Sequence, residues 1–155
     1  MVSKRIRTAF ILVAAVLMAT LSFAQDRPVL TQFLVVQEHG KEILKPVTSV
    51  SRGDVIEYRA EVVNTHTEGS LTNLSLDIPV PTGATVILAS INPKGAAAST
   101  DEKTFSAVPL THKVQRGDAS VEEVVPASAY KIIRWNIPVL KPGAKTSVSV
   151  RVRIN

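Results

Sequence analysis

The feature that most constrains this chain is an alternation of period two. After a turn at Arg52-Gly53-Asp54, Ile56, Tyr58, Ala60 and Val62 fall on one side of the chain and Glu57, Arg59 and Glu61 on the other. A β-strand does this when one face packs on a core and the other meets water. The pattern returns where Leu74, Leu76, Ile78 and Val80 alternate with Ser75, Asp77 and Pro79, and again where Ile133, Trp135 and Ile137 alternate with Arg134 and Asn136. It is longest where Val148, Val150, Val152 and Ile154 alternate with Ser147, Ser149, Arg151 and Arg153, up to the final residues. No run keeps a period near 3.6, so little helix is expected. Short strands separated by turns such as Pro81-Thr82-Gly83, Asn92-Pro93-Lys94-Gly95 and Lys141-Pro142-Gly143 predict an all-β, antiparallel sandwich or barrel.

The remaining strands are read from weaker signals. Val29 to Gln37 is expected to be a strand, and the His39-Gly40 turn sends Glu42 to Lys45 into a short second one. Pro46 and Pro79 can donate no ladder hydrogen bond, which puts them on sheet edges or at bulges. Thr65 to Ser70 reads as a loop, and a strand begins around Val86 and Leu88. Between Ala96 and Val125 the expectation is one or two short strands and a long loop. By their phase, Tyr58, Trp135 and the four apolar residues of the last strand belong to the core.

Lys4, Arg5 and Arg7 precede an apolar run from Ala9 to Leu21, and Ser22 and Ala24 stand at the −3 and −1 positions of a cut before Gln25. This is the build of a secretory signal peptide over residues 1–24. The alternative is an uncleaved anchor, although Ala9 to Ala24 falls just short of the roughly 17 to 25 residues that span a bilayer. Residues 25–155 then suit a single domain. Removing the three N-terminal cations lowers the formal charge from +5 to +2, so neither nucleic acid nor an anionic membrane is an expected partner. Arg151 and Arg153 read as a solvated strand face. There is no cysteine, hence no disulfide and no thiolate chemistry. The mature protein is expected to be extracytoplasmic (periplasmic, cell-surface or secreted), with no stable membrane span.

Three stretches together resemble a known family. They are Ser51-Arg52-Gly53-Asp54-Val55-Ile56-Glu57-Tyr58 with Val63-Asn64 closing the strand, then Ile78-Pro79-Val80-Pro81-Thr82-Gly83, then Ile133-Arg134-Trp135-Asn136-Ile137 followed by Leu140-Lys141-Pro142-Gly143. Their order and spacing are similar to the DUF11 or "conserved repeat domain" family of bacterial exported proteins. The resemblance covers roughly residues 30 to 155 and implies an immunoglobulin-like β-sandwich. Family members often stand in tandem and commonly carry a proline where this chain has Arg52. No catalytic residue comes with the family.

Each candidate site has an ordinary structural reading beside a functional one. Arg52-Gly53-Asp54 and Arg116-Gly117-Asp118 match an integrin-recognition tripeptide, but a glycine beside an aspartate is also ordinary turn chemistry. His39, His66 and His112 lack close metal-ligand spacing, and each reads as loop or near-loop. Glu122-Glu123, with Asp118 just before, cannot face each other across a glycosidase cleft, because neighbours in a strand point to opposite faces. No Gly-x-Ser-x-Gly elbow or Ser-x-x-Lys motif activates a serine. Asn73-Leu74-Ser75 fits a glycosylation sequon, without a reason to expect its use in a bacterial-looking chain. No catalytic, cofactor-binding or metal residue is expected. The reading is a non-enzymatic structural or interaction module of the bacterial cell envelope, with another envelope protein or a polysaccharide as partner. The alternative, a polysaccharide-binding or adhesion module, requires exposed aromatics, and of the seven in the chain Phe10 and Phe23 fall within residues 1–24.

Overall fold

The strongest alternation produces the most completely paired strands. The computed structural model describes residues 27–155, and the expected signal peptide lies outside the described residues. The segment after the Arg52-Gly53-Asp54 turn is β3 (Val55–Val63), which buries Ile56, Ala60 and Val62. Beside it, along its whole length, runs β11 (Lys145–Ile154), with Val148 opposite Ala60 and Val152 opposite Ile56. On the other side of β3 lie β1 (Val29–Glu38) and then β2 (Lys41–Pro46), while β5 (Ala84–Asn92) pairs with the far side of β11. The result is a five-stranded antiparallel sheet in the order β2-β1-β3-β11-β5.

The second sheet contains β4 (Leu71–Pro79), β10 (Ile132–Leu140), β6 (Ala97–Ser99) and β7 (Ser106–Ala107), in the order β4-β10-β6-β7. Leu76, Ile78, Ile133 and Trp135 from this sheet join Ile56, Val148, Val150 and Val152 from the first in one hydrophobic cluster. Two antiparallel sheets that bury facing apolar sides make the layered arrangement of a β-sandwich. Among the described residues, the helical content is one 3-10 turn at Ala127–Ala129.

The prolines sit where a missing N–H does least harm. Pro46 ends β2 and Pro79 ends β4, and both are outermost strands. Pro138, inside β10, faces Asn73, whose φ is 53°. Beyond this pair the phase changes: Val139 is 53% exposed and Leu140 is buried. The β5–β11 ladder contains a bulge after Ile87, where the Ser90 hydroxyl accepts from the Arg151 amide at 2.8 Å and donates to the Ile87 carbonyl at 2.6 Å.

The structure differs from the sequence expectation in two places. Ala96 to Val125 holds four strands rather than one or two and a long loop: β6, β7, β8 (Thr111–Arg116) and β9 (Ala119–Val124). The last two pair only with each other, so neither face acquires a buried stripe and the sequence shows no apolar alternation. Trp135 is buried as its phase predicts, and its indole N–H donates to the Pro93 carbonyl at 2.8 Å, whereas Tyr58 is only partly buried against the core.

Trp135→Ala is expected to cost about 3–5 kcal/mol, the range for emptying a large aromatic site, measured as a lowered urea midpoint; an unchanged midpoint would show that the ring contributes nothing to the core. Deleting residues 146–155 removes Val148, Val150 and Val152, each at 0–1% exposure, from an interior strand of the first sheet. Each such side chain contributes about 1.5–3 kcal/mol, against a net stability of about 5–15 kcal/mol for a domain. The truncated protein should therefore be unfolded or aggregated, and a cooperative melt near that of the intact chain would refute the placement of β11.

Candidate interaction surface

The β8–β9 ribbon is the part of the molecule least absorbed by the sandwich. Its register sets His112 against Glu123, Lys113 against Glu122, Val114 against Val121 and Arg116 against Ala119. An isolated two-stranded hairpin is marginal in water, so its root matters. There, buried Leu110 donates its amide to the Tyr130 hydroxyl at 2.7 Å and accepts from the Val125 amide at 2.8 Å. Gly117, at φ 63°, makes the tip, which carries Arg116-Gly117-Asp118. Arg116 folds back into an ion pair with Glu123, and the Thr111 hydroxyl donates to Glu122 at 2.6 Å. Basic side chains lie on β8 and acidic ones on β9, while Val121 and Val124 remain exposed.

A second polar feature lies on the outer face of the first sheet, where Glu57 was expected to meet water. It is instead buried at 6% exposure. The β3–β11 register puts it opposite Arg151, whose Nε donates to it at 2.9 Å, and Arg59 on the same face donates at 2.6 Å. Arg151 also grips both carboxylate oxygens of Glu42, at 2.9 and 2.6 Å, and Arg59 lies over the Phe33 ring at 5.5 Å. Arg151 was expected to sit on a solvated face and is instead the centre of this network; Arg153 is exposed. The guanidinium of Arg151 holds the Glu42 carboxyl below its ordinary range, and the same hydrogen bonds raise the pKa of Arg151. Beside the network is a shallow depression of about 440 Å³, walled by Val35, Val55 and Ile87. On the second sheet Arg134 makes the equivalent bidentate pair with Asp77, at 2.7 and 2.6 Å, beneath the Phe105 ring at 3.6 Å.

The other residues singled out in the sequence are not brought together. The Asp54 carboxylate accepts from the Ser51 amide at 2.8 Å, while the amide of Gly53 and the carbonyl of Asp54 bond to Ile154, so the first tripeptide is a working turn. His39 lies in the β1–β2 turn at φ 52° and His66 in the β3–β4 loop, but His112 is a strand residue of β8, not a loop residue. Among the described residues there is no group of three or more histidines and carboxylates placed to hold a metal. Glu122 and Glu123 are consecutive in β9 and engage different partners, Thr111 and Arg116. Asn73 is exposed on β4, and Ser75 donates to Asn136 at 3.1 Å. Asp101, which nothing in the sequence marked, accepts from the amides of Thr104 and Lys103 and the hydroxyl of Ser99, and these bonds hold its carboxyl far below the usual range. It shapes the β6–β7 loop. Among the described residues no helix is long and apolar enough to cross a membrane.

Comparison of the chain with protein-family models, with curated proteins and with solved structures returned no match.

The Glu42–Arg151 pair is testable by pH. Because the folded pKa of Glu42 lies below its ordinary 4.5, the stability linked to it is fully present above that value and is lost as pH falls through the lowered one. An NMR titration should find the Glu42 carboxyl ionised below 4.5, and Arg151→Gln should return it toward 4.5. A titration that does not move in the variant would show that Arg151 is not the cause.

Proposed function

We propose that this chain is a non-enzymatic, exported interaction module of the bacterial cell envelope, built as a single immunoglobulin-like domain over residues 25–155 and delivered by cleavage of residues 1–24. The observation that carries the reading is the β8–β9 ribbon, which pairs with no other strand and is pinned at its root by Leu110 and Tyr130. The sandwich core closes without it: of its residues none belongs to the buried cluster, and no buried side-chain polar atom among the described residues lacks a partner. A hairpin that adds no core is more economically explained by what it presents than by what it stabilises.

Export is supported by the basic front, apolar run and small-residue exit of residues 1–24. The DUF11-like, immunoglobulin-like assignment draws on the same three stretches as before. They form the turn into β3, the end of β4 with its following turn, and β10 with the turn into β11. Asn64 joins the first stretch to the third, through its side-chain bond to Leu140 and its carbonyl bond from Gly143. The polysaccharide alternative loses its best platforms, since Trp135 and Tyr130 are buried and Phe33 and Phe105 are capped by arginines. For adhesion, Arg116-Gly117-Asp118 at the ribbon tip is the better placed of the two tripeptides.

The decisive experiment replaces Thr111 to Val124 with a short glycine-serine turn and crosslinks the protein in intact envelopes. The variant should keep a cooperative melt and lose its crosslinked partner at least tenfold. Equal recovery of the partner without the ribbon, or turnover by the purified protein that one point substitution abolishes, would overturn the proposal.

A further inference from the structure

We infer that the free edge of β4 is a docking site for an extended segment of a partner protein, which adds to the second sheet as one more strand. The inference rests on reading the chain as a binding module, though not on the ribbon. β4 is outermost in its sheet. The Val80 amide donates to the Lys131 carbonyl at 2.8 Å, and in an antiparallel ladder the direction of the backbone groups alternates. From Leu74 to Ile78 the even-numbered residues of β4 therefore bond to β10, and Ser75 and Asp77 turn their N–H and C=O groups to the open side, where Pro79 offers only a carbonyl. The side chains of Ser75 and Asp77 are held away from that edge by Asn136 and Arg134.

The other edges are blunted in the ways natural sheets avoid unwanted pairing. The outer strand β2 carries Lys41, Lys45 and Pro46. β5 is broken by its bulge, and Lys94 donates to its Ala89 carbonyl at 2.8 Å. β7 is 2 residues long. The β4 edge bears no lysine, and its one proline, Pro79, is the last residue of the strand.

What the first sheet does beside this edge identifies the occupant. Leu30 pairs with buried Ala60 and Ile43 with Val36, so their side chains point to the inner side of the first sheet. Yet Leu30 is 45% exposed and Ile43 37%, whereas Leu76 and Ile78 on β4 are at 0%. Cover by the second sheet thus stops at β4, and β1 and β2 form a shelf beyond it carrying Leu30, Val36 and Ile43. A strand added to β4 completes the ladder with its backbone and covers the shelf with every second side chain. Those over Leu30, Val36 and Ile43 must be apolar, while the same face also carries the Glu38–Lys45 ion pair. At the shelf's rim Lys41 stands opposite Glu38, whose carboxylate is already paired with Lys45, so that face keeps one cation in excess and the segment carries an acidic residue at that end. A second copy does not fit: joining two β4 edges about a two-fold axis would drive each shelf against the other copy's β4, whose inner face is already covered.

The test uses nine-residue peptides alternating valine with threonine and ending in two glutamates, the same peptide ending in two lysines, and a scrambled version without alternation. With the purified protein, the glutamate peptide should slow amide hydrogen exchange at Ser75 and Asp77 at least tenfold and bind at least fivefold more tightly than the lysine peptide. Lys41→Glu should reverse that order. Ser75→Pro removes an outward N–H without touching the β10 ladder and should weaken binding at least tenfold. Leu30→Lys, on a partly exposed site, should weaken it as well and serves if the proline variant fails to fold. Unchanged exchange at Ser75 and Asp77 with all peptides, or binding indifferent to both substitutions, overturns the inference. So does a dimer in sedimentation that Ser75→Pro dissolves, which would assign the edge to a second copy. A photo-crosslinker placed in envelopes at Asp77 and at Gln115 separates the two proposals. Capture through Gln115 alone removes the β4 site and leaves the binding module standing; capture through neither removes both.

Discussion

The first sheet depends on the pairing of β3 with β11, whose Glu57 and Arg151 lie 94 residues apart in sequence. On the inner side the pair buries Ile56 and Ala60 with Val148, Val150 and Val152. On the outer side the same register brings a carboxylate under two guanidiniums. Burying an unpaired carboxylate costs several kcal/mol, and removing one partner of a buried pair costs about 3–5 kcal/mol. Glu57 is tolerated because Arg59 and Arg151 both reach it, and Glu42 from β2 balances the second cation. One register thus fixes the hydrophobic face and the charged face together, since a shift by one residue would exchange them.

The far end of the sandwich is organised by a single buried amide. Asn64 is at 0% exposure, and its Nδ2 donates to the carbonyls of Gly69 and Leu140 at 3.0 and 2.9 Å while its Oδ1 accepts from the His66 amide at 3.1 Å. Its backbone bonds to Ala144 and Gly143 in the turn between β10 and β11. Each buried polar group left unmatched costs about 1–3 kcal/mol, so the side chain locks the β3–β4 loop and both sheets into one arrangement.

The strands that could be read from sequence are those whose two faces meet different surroundings. Val148, Val150 and Val152 declare themselves because their neighbours Ser147 and Arg153 face outward, and Trp135 does so because its phase matches Ile133 and Ile137. Local chemistry also placed Pro79 on an edge and Asp54 in a turn. Glu57 escaped because alternation reports only side-chain direction; what buries it is a register set by β11. Val139 and Leu140 escaped because the phase change needs Asn73 and Pro138 together, and these face each other only after the sheet forms. The ribbon escaped for the opposite reason: with both faces exposed, nothing in its sequence had to alternate. The β4 edge lay beyond local reading too, since which strand is outermost, and how far the other sheet extends past it, belongs to topology.

Strand order also sets when the protein can fold. β11 sits between β3 and β5 yet is made after both, so the ribosome releases every other strand of the first sheet before β11 exists. Until then β3 has β1 on one side and an open ladder on the other, and Glu57 waits for one of its two arginines. The local ribbon can close within microseconds, but the sandwich must bridge nearly a hundred residues, which makes topologies of this kind slow to fold. During that interval the apolar faces of β3 and β5 are bare to whatever accompanies the growing chain, and the step most exposed to a chaperone or a protease is the arrival of β11.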